Sequence, residues 1–221
     1  RSRSMAFGSA TIQFGENLSW DELVKESTAT QRARPVQLKL GPTTERGRFP
    51  ATPFEVVIAP DGVRRVPAVV EAYEQAKHQL QAEIASRLAI ARRKEVVLFV
   101  HGSHTSFEQA ALSMGELCHF LGRDFVCAMF TWPAGRPGIF GYAFDRESSE
   151  YAVEDLLKTI RIIGQTPGVE RIHLIAHSRG TDTLTSALAA LGAEAYGLQS
   201  SPDREFHIGN VVLVAPDLDG D

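Results

Sequence analysis

From about residue 95 to residue 215, short apolar runs alternate with helix-length segments, and no other feature constrains the fold of this chain as tightly. The pattern predicts strands over Val96–Val100, Phe125–Thr131, Arg171–Ala176 and Asn210–Ala215. Between them it predicts helices over Ser106–Leu121, Arg146–Ile163 and Arg179–Leu191. Continuous apolar strands are buried on both faces, the habit of parallel strands. Right-handed crossovers of this length cover both faces of a mostly parallel sheet with helices. The expected class is therefore α/β, doubly wound. In the first of these helices Phe107, Ala111, Met114, Cys118 and Leu121 form one stripe, with Gly122 as its cap. The second stops at Gly164 with Pro167 beyond it.

One strand–helix junction carries chemistry. Ile172 to Ala176 run straight into His177, Ser178, Arg179 and Gly180. A serine between small residues two before and two after it, on a tight turn between strand and helix, stands clear of the sheet as an exposed nucleophile. Ala176 takes the place of the usual first glycine and adds only a methyl group. The alternative is a serine that merely caps the helix. Upstream, the strand ending at Val100 runs into His101, Gly102, Ser103, His104, Thr105, Ser106 and Phe107. Gly102 permits unusual backbone angles and close substrate approach. Reactive groups of open parallel sheets collect at the carboxyl ends of the strands. His101, Trp132, Ser178 and Asp217 all fall at such ends.

These motifs resemble the α/β-hydrolase superfamily, and within it a bacterial branch of serine hydrolases. That branch has an HG-x-x-x-SF loop (His101 to Phe107), a Trp-Pro (Trp132-Pro133), an HS-x-G (His177 to Gly180) and an APD-x-D strand end (Ala215 to Asp219). The resemblance covers roughly residues 5 to 221. It implies esterase- or lipase-like cleavage of a small-molecule or lipid-like ester through an acyl-enzyme, with no cofactor and no metal. The backbone N–H groups of Ser103 and Arg179 become the expected oxyanion hole. His101, Gly102, Trp132 and His177 become the expected pocket residues. A thioesterase, an amidase, an acyltransferase, or a binding or scaffold protein that keeps the fold without the chemistry remain alternatives.

Such a serine needs a base, and the base an orienting acid. In this superfamily the chain order is serine, acid, histidine. After Ser178 the sole histidine is His207, placed just before a strand and so at the opposite edge of the sheet. His177 adjoins the serine but points away from it, whereas His101 and His104 lie on the correct side. Asp217, and less so Asp219, are the candidate acids. Asp145 is expected to cap the helix that follows it. By analogy with the superfamily, further strand–helix pairs should follow Ala215. The chain therefore reads as lacking its C-terminal strands, and a second polypeptide segment is expected to pair with the last strand and bring the catalytic histidine.

The rest of the sequence sets bounds. Residues 1–221 read as one domain, with N-terminal strands and loops over 1–65 and a helix plus βα core over 66–221. Strand-like segments are Ala10–Phe14, Val36–Leu40 and Phe54–Ile58, with turns at Gly41-Pro42 and Asp61-Gly62 and a surface loop over Thr43–Pro53. A helix from Pro67 to Ala91 carries Val69, Tyr73, Ala76, Leu80, Ile84 and Leu88 on one stripe. The net charge of −4 argues against a nucleic-acid surface. No apolar run reaches the length of a membrane span, so a soluble chain is expected, cytoplasmic or exported. Cys118 and Cys127 read as separate buried thiols. The aromatic segment Trp132–Tyr142 leaves the active edge and suits either an acyl pocket or a loop anchor.

Overall fold

The computed structural model describes residues 3–15, 18–31, 33, 35–134 and 139–217, without the side chains of 139, 140, 142 and 143. Asp219 and residues 135–138 of the aromatic segment lie outside that set. In chain order the elements are β1 (Ala6–Phe14), α1 (Trp20–Thr28), β2 (Leu38–Arg48), β3 (Val56–Ala59), β4 (Gly62–Arg65), α2 (Pro67–Ile90), β5 (Glu95–Val100), α3 (Phe107–Phe120), β6 (Val126–Phe130), α4 (Ile139–Gly164), β7 (Arg171–His177), α5 (Gly180–Gly197), α6 (Pro202–Glu205) and β8 (Ile208–Val214).

The four apolar runs form one parallel sheet in the order β6-β5-β7-β8. The chain steps from β5 outward to β6, then back across β5 to β7 and on to β8. A right-handed crossover changes face when the direction of travel reverses. So α3 packs on one face, where Met114 meets Val97 and Phe99. On the other face α2, α4 and α5 bury Leu88, Leu156, Ile160, Leu184 and Leu191 against Val96, Leu98, Leu174 and Ala176. All six residues of β5 are buried, as a central strand with both faces covered must be. At the amino end of the sheet Glu95, His173 and Asn210 bridge β5, β7 and β8, through Glu95–His173 at 2.8 Å and Asn210–His173 at 2.9 Å.

Several expectations are corrected. Cys118 and Cys127 are not separate thiols but a disulfide with Cα atoms 6.0 Å apart. The return of α3 across β6 brings both into the span a disulfide requires, which spacing in sequence does not reveal. Thr43–Pro53 is not a surface loop throughout, because β2 runs on to Arg48, pairing with Ala6 at the start of β1. Gly41 and Pro42 sit inside β2 rather than in a turn, beside a register shift between Ala10 and Ile12. Proline is tolerated in an edge strand of this kind. The Asp61-Gly62 turn does join a hairpin, β3–β4. The helix expected from Arg146 begins at Ile139, and the one expected to end at Leu191 runs to Gly197. No helix among the described residues is long and apolar enough to cross a membrane.

Candidate active site

The β5–β7 ladder pairs Val100 with Ala176, so the loop beginning at His101 and the turn at Ser178 leave the sheet side by side. The direction of winding reverses between these two strands, and such a switch point opens a crevice at the carboxyl edge. Three non-glycine residues around this crevice hold positive φ: His104 at 56°, Ser178 at 50° and Ala215 at 45°. Backbone strain of this kind persists only where its surroundings over-determine it, and it clusters at functional sites.

What holds the Ser178 turn is visible on every side. The Ser178 N–H donates to the Val214 carbonyl of β8 at 3.0 Å. Its own carbonyl accepts from the Thr181 N–H at 2.9 Å and the Thr181 hydroxyl at 2.7 Å. The same buried hydroxyl accepts the Asp217 N–H at 3.1 Å, so Asp217 is tied to the start of α5 through its backbone. Gly102 lies against the turn. A Cβ there would stand 2.8 Å from the Ser178 Cβ and 2.9 Å from the His177 carbonyl oxygen. A Cβ on Gly180 would collide with the His101 carbonyl. The two glycines thus let the loop and the elbow touch.

Ser103 follows Gly102 in that loop. Its hydroxyl is buried and has no hydrogen-bond partner among the described residues. Arg179 is the N-cap of the eighteen-residue α5, whose first N–H groups and positive dipole end face the carboxyl edge of the sheet. The arrangement can stabilise a developing negative charge beside Ser178.

The histidines fall into clear roles. His101 is buried, with Nδ1 bonded to the Gly102 carbonyl at 2.8 Å and Nε2 accepting the Trp132 N–H at 3.2 Å. Burial pushes its pKa down, against the opposing pull of the Gly102 carbonyl, Asp145 and Trp132. With both nitrogens engaged, it stays neutral and shapes the loop from behind. Trp132 is buried too, stacked on His101 at 5.1 Å and donating its Nε1–H to the His101 carbonyl at 3.0 Å. His177 is exposed beside Gly102. His207 bonds the Val169 carbonyl, at the amino edge as expected from sequence. Among the described residues no histidine is hydrogen-bonded to the Ser178 hydroxyl.

Sequence reasoning missed two groups and misread a third. Thr181, one residue past the elbow glycine, carries no motif. Ser149 of α4 accepts from Arg179 Nε at 3.3 Å, linking the helix to the elbow. Asp145 does not cap its helix, because α4 starts six residues earlier. It is fully buried, and its Oδ2 accepts the His104 N–H at 2.9 Å. Arg146 beside it pairs with Glu150. The available signal was an Asp-x-x-Ser-Ser run inside an amphipathic helix, where any polar group that is buried demands a partner.

Residues 76–221 match the model of a family described as alpha/beta hydrolase of unknown function (DUF900). No curated protein and no solved structure was found to match the chain.

Proposed function

The chain belongs to that alpha/beta-hydrolase family, and from this premise we propose that it is a serine hydrolase acting on a carboxylic ester. The observation that carries the proposal is Ser178 itself, a non-glycine residue at φ 50° on a strand–helix junction and packed against Gly102. A surface serine that only capped a helix would adopt extended angles, as Ser106 does at the start of α3.

In the proposed reaction Ser178 Oγ attacks the ester carbonyl carbon while a histidine takes the hydroxyl proton. The oxyanion is held by the N–H groups of Ser103 and Arg179. The alcohol leaves with that proton, and a water activated by the same base cleaves the acyl-enzyme to the free acid. Asp217, held beside the α5 N-terminus, is proposed as the orienting acid. Gly102 and His177 border the substrate, a small-molecule or lipid-like ester, with His101 and Trp132 supporting the loop behind them. The base is proposed to arrive on polypeptide that pairs with β8, an edge strand whose Val211, Val212 and Val214 are 42%, 46% and 44% exposed.

A second reading, a binding or scaffold protein that has kept the elbow without a base, draws on the absence of a histidine bonded to Ser178 among the described residues. Ester hydrolysis decides between them. With p-nitrophenyl butyrate as the probe, and with the polypeptide that pairs with β8 present in both proteins, Ser178→Ala should lower the rate by at least about 1,000-fold while the fold stays intact. Equal rates in the two proteins would remove the serine hydrolase reading.

A further inference from the structure

α4 is apolar where it meets the sheet, burying Ala152, Leu156, Ile160 and Ile163. Its second and third turns are different. Asp145, Ser148 and Ser149 are 0%, 2% and 1% exposed, and burying such groups is unfavourable unless each finds a partner. Asp145 and Ser149 stand four residues apart, so they share one helix face. Their partners are the two segments that flank Ser178.

Asp145 Oδ2 accepts the His104 backbone N–H at 2.9 Å and stands 3.6 Å from the His104 ring Nδ1. His104 is the strained residue directly after Ser103. A charge-assisted bond to its amide fixes the turn in a conformation that a histidine rarely adopts. Ser149 Oγ donates to the Arg146 carbonyl at 2.7 Å and accepts Arg179 Nε at 3.3 Å. The Arg179 guanidinium also pairs with Asp182 at 3.0 Å and its side chain is only 12% exposed. A partly buried arginine whose guanidinium is held on two sides fixes the residue whose N–H follows Ser178.

We propose that Asp145 and Ser149 are positioning residues of the oxyanion hole: one turn of α4 grips both loops and so sets the separation of the Ser103 and Arg179 amides. The inference rests on the serine hydrolase reading, and it adds a function to a helix that sheet packing alone does not explain. Neither residue touches the substrate. Their effect falls on the transition state, because an ångström of misplacement in a donor pair costs rate and leaves ground-state binding alone.

The test uses the protein with the polypeptide that pairs with β8 present, an alkyl fluorophosphonate for labelling and p-nitrophenyl butyrate for turnover. Asp145→Ala and Ser149→Ala should each lower the labelling rate constant and kcat by about 100-fold, with KM changed less than about threefold. Asp145→Asn and Ser149→Thr keep the acceptor and should recover at least about tenfold over the alanine variants. Amide hydrogen exchange over residues 102–106 should quicken in Asp145→Ala. If that variant fails to fold, Ser149→Ala, which removes one hydroxyl, carries the test. Alanine variants that label at the wild-type rate, lose only KM, or show no recovery in the conservative pair would overturn the inference while leaving Ser178 as nucleophile. A wild-type protein that does not label removes the serine hydrolase reading, and the oxyanion role with it.

Discussion

Ser178 pays for its position in backbone strain. An L-residue in the left-handed region sits about 1 kcal/mol above glycine at the same angles. Ser178 in this turn therefore costs stability, which leads to a comparison of two variants. Ser178→Gly should melt above Ser178→Ala by an amount corresponding to about 1 kcal/mol, measured by thermal denaturation. An alanine variant as stable as the glycine variant would mean that the turn relaxes when the hydroxyl goes. At this scale the sequence was partly legible. Ser178 and Gly102 announce themselves because small neighbours are a steric requirement that any reader can see. Asp145 does not, since its place beside the His104 amide depends on where helix α4 begins, seven residues earlier than the run around Arg146 suggested.

Among the elements, some were read from their apolar pattern to within two residues at each end. The 24-residue α2 and the parallel strands β5 to β8 are cases in point. Elements whose character comes from pairing were not. Thr43 to Arg48 looks polar and loop-like, yet it completes β2 because β1 offers it an antiparallel partner. The disulfide is a similar case, since Cys118 and Cys127 meet only through the α3 crossover. It joins the end of the helix that follows the His101–Ser106 loop to the strand that leads to Trp132. Closing a loop of this size restrains the unfolded chain by about 2–3 kcal/mol. Reduction, or the pair Cys118→Ser with Cys127→Ser, should lower the melting temperature accordingly. A melt insensitive to dithiothreitol would show that the sulfurs are not joined in solution.

For the whole molecule, the sheet and its carboxyl edge were legible in advance and its β8 flank less so. A continuous apolar β8 was expected from Val211 to Val214, and the structure leaves three of its valines over 40% exposed. An apolar edge strand is a template for further pairing. The chain of residues 1–221 should therefore associate as its concentration rises, and Val212→Lys should suppress that in sedimentation velocity. A wild type that stays monomeric at high concentration would indicate that the β8 edge needs no partner. The catalytic claim itself is tested most directly by mapping the fluorophosphonate adduct. Peptide mass spectrometry should find the mass increase on the fragment that carries Ser178, and find none in Ser178→Ala. An adduct on any other residue, or none on the wild-type protein when it is folded and the polypeptide that pairs with β8 is present, would contradict the account.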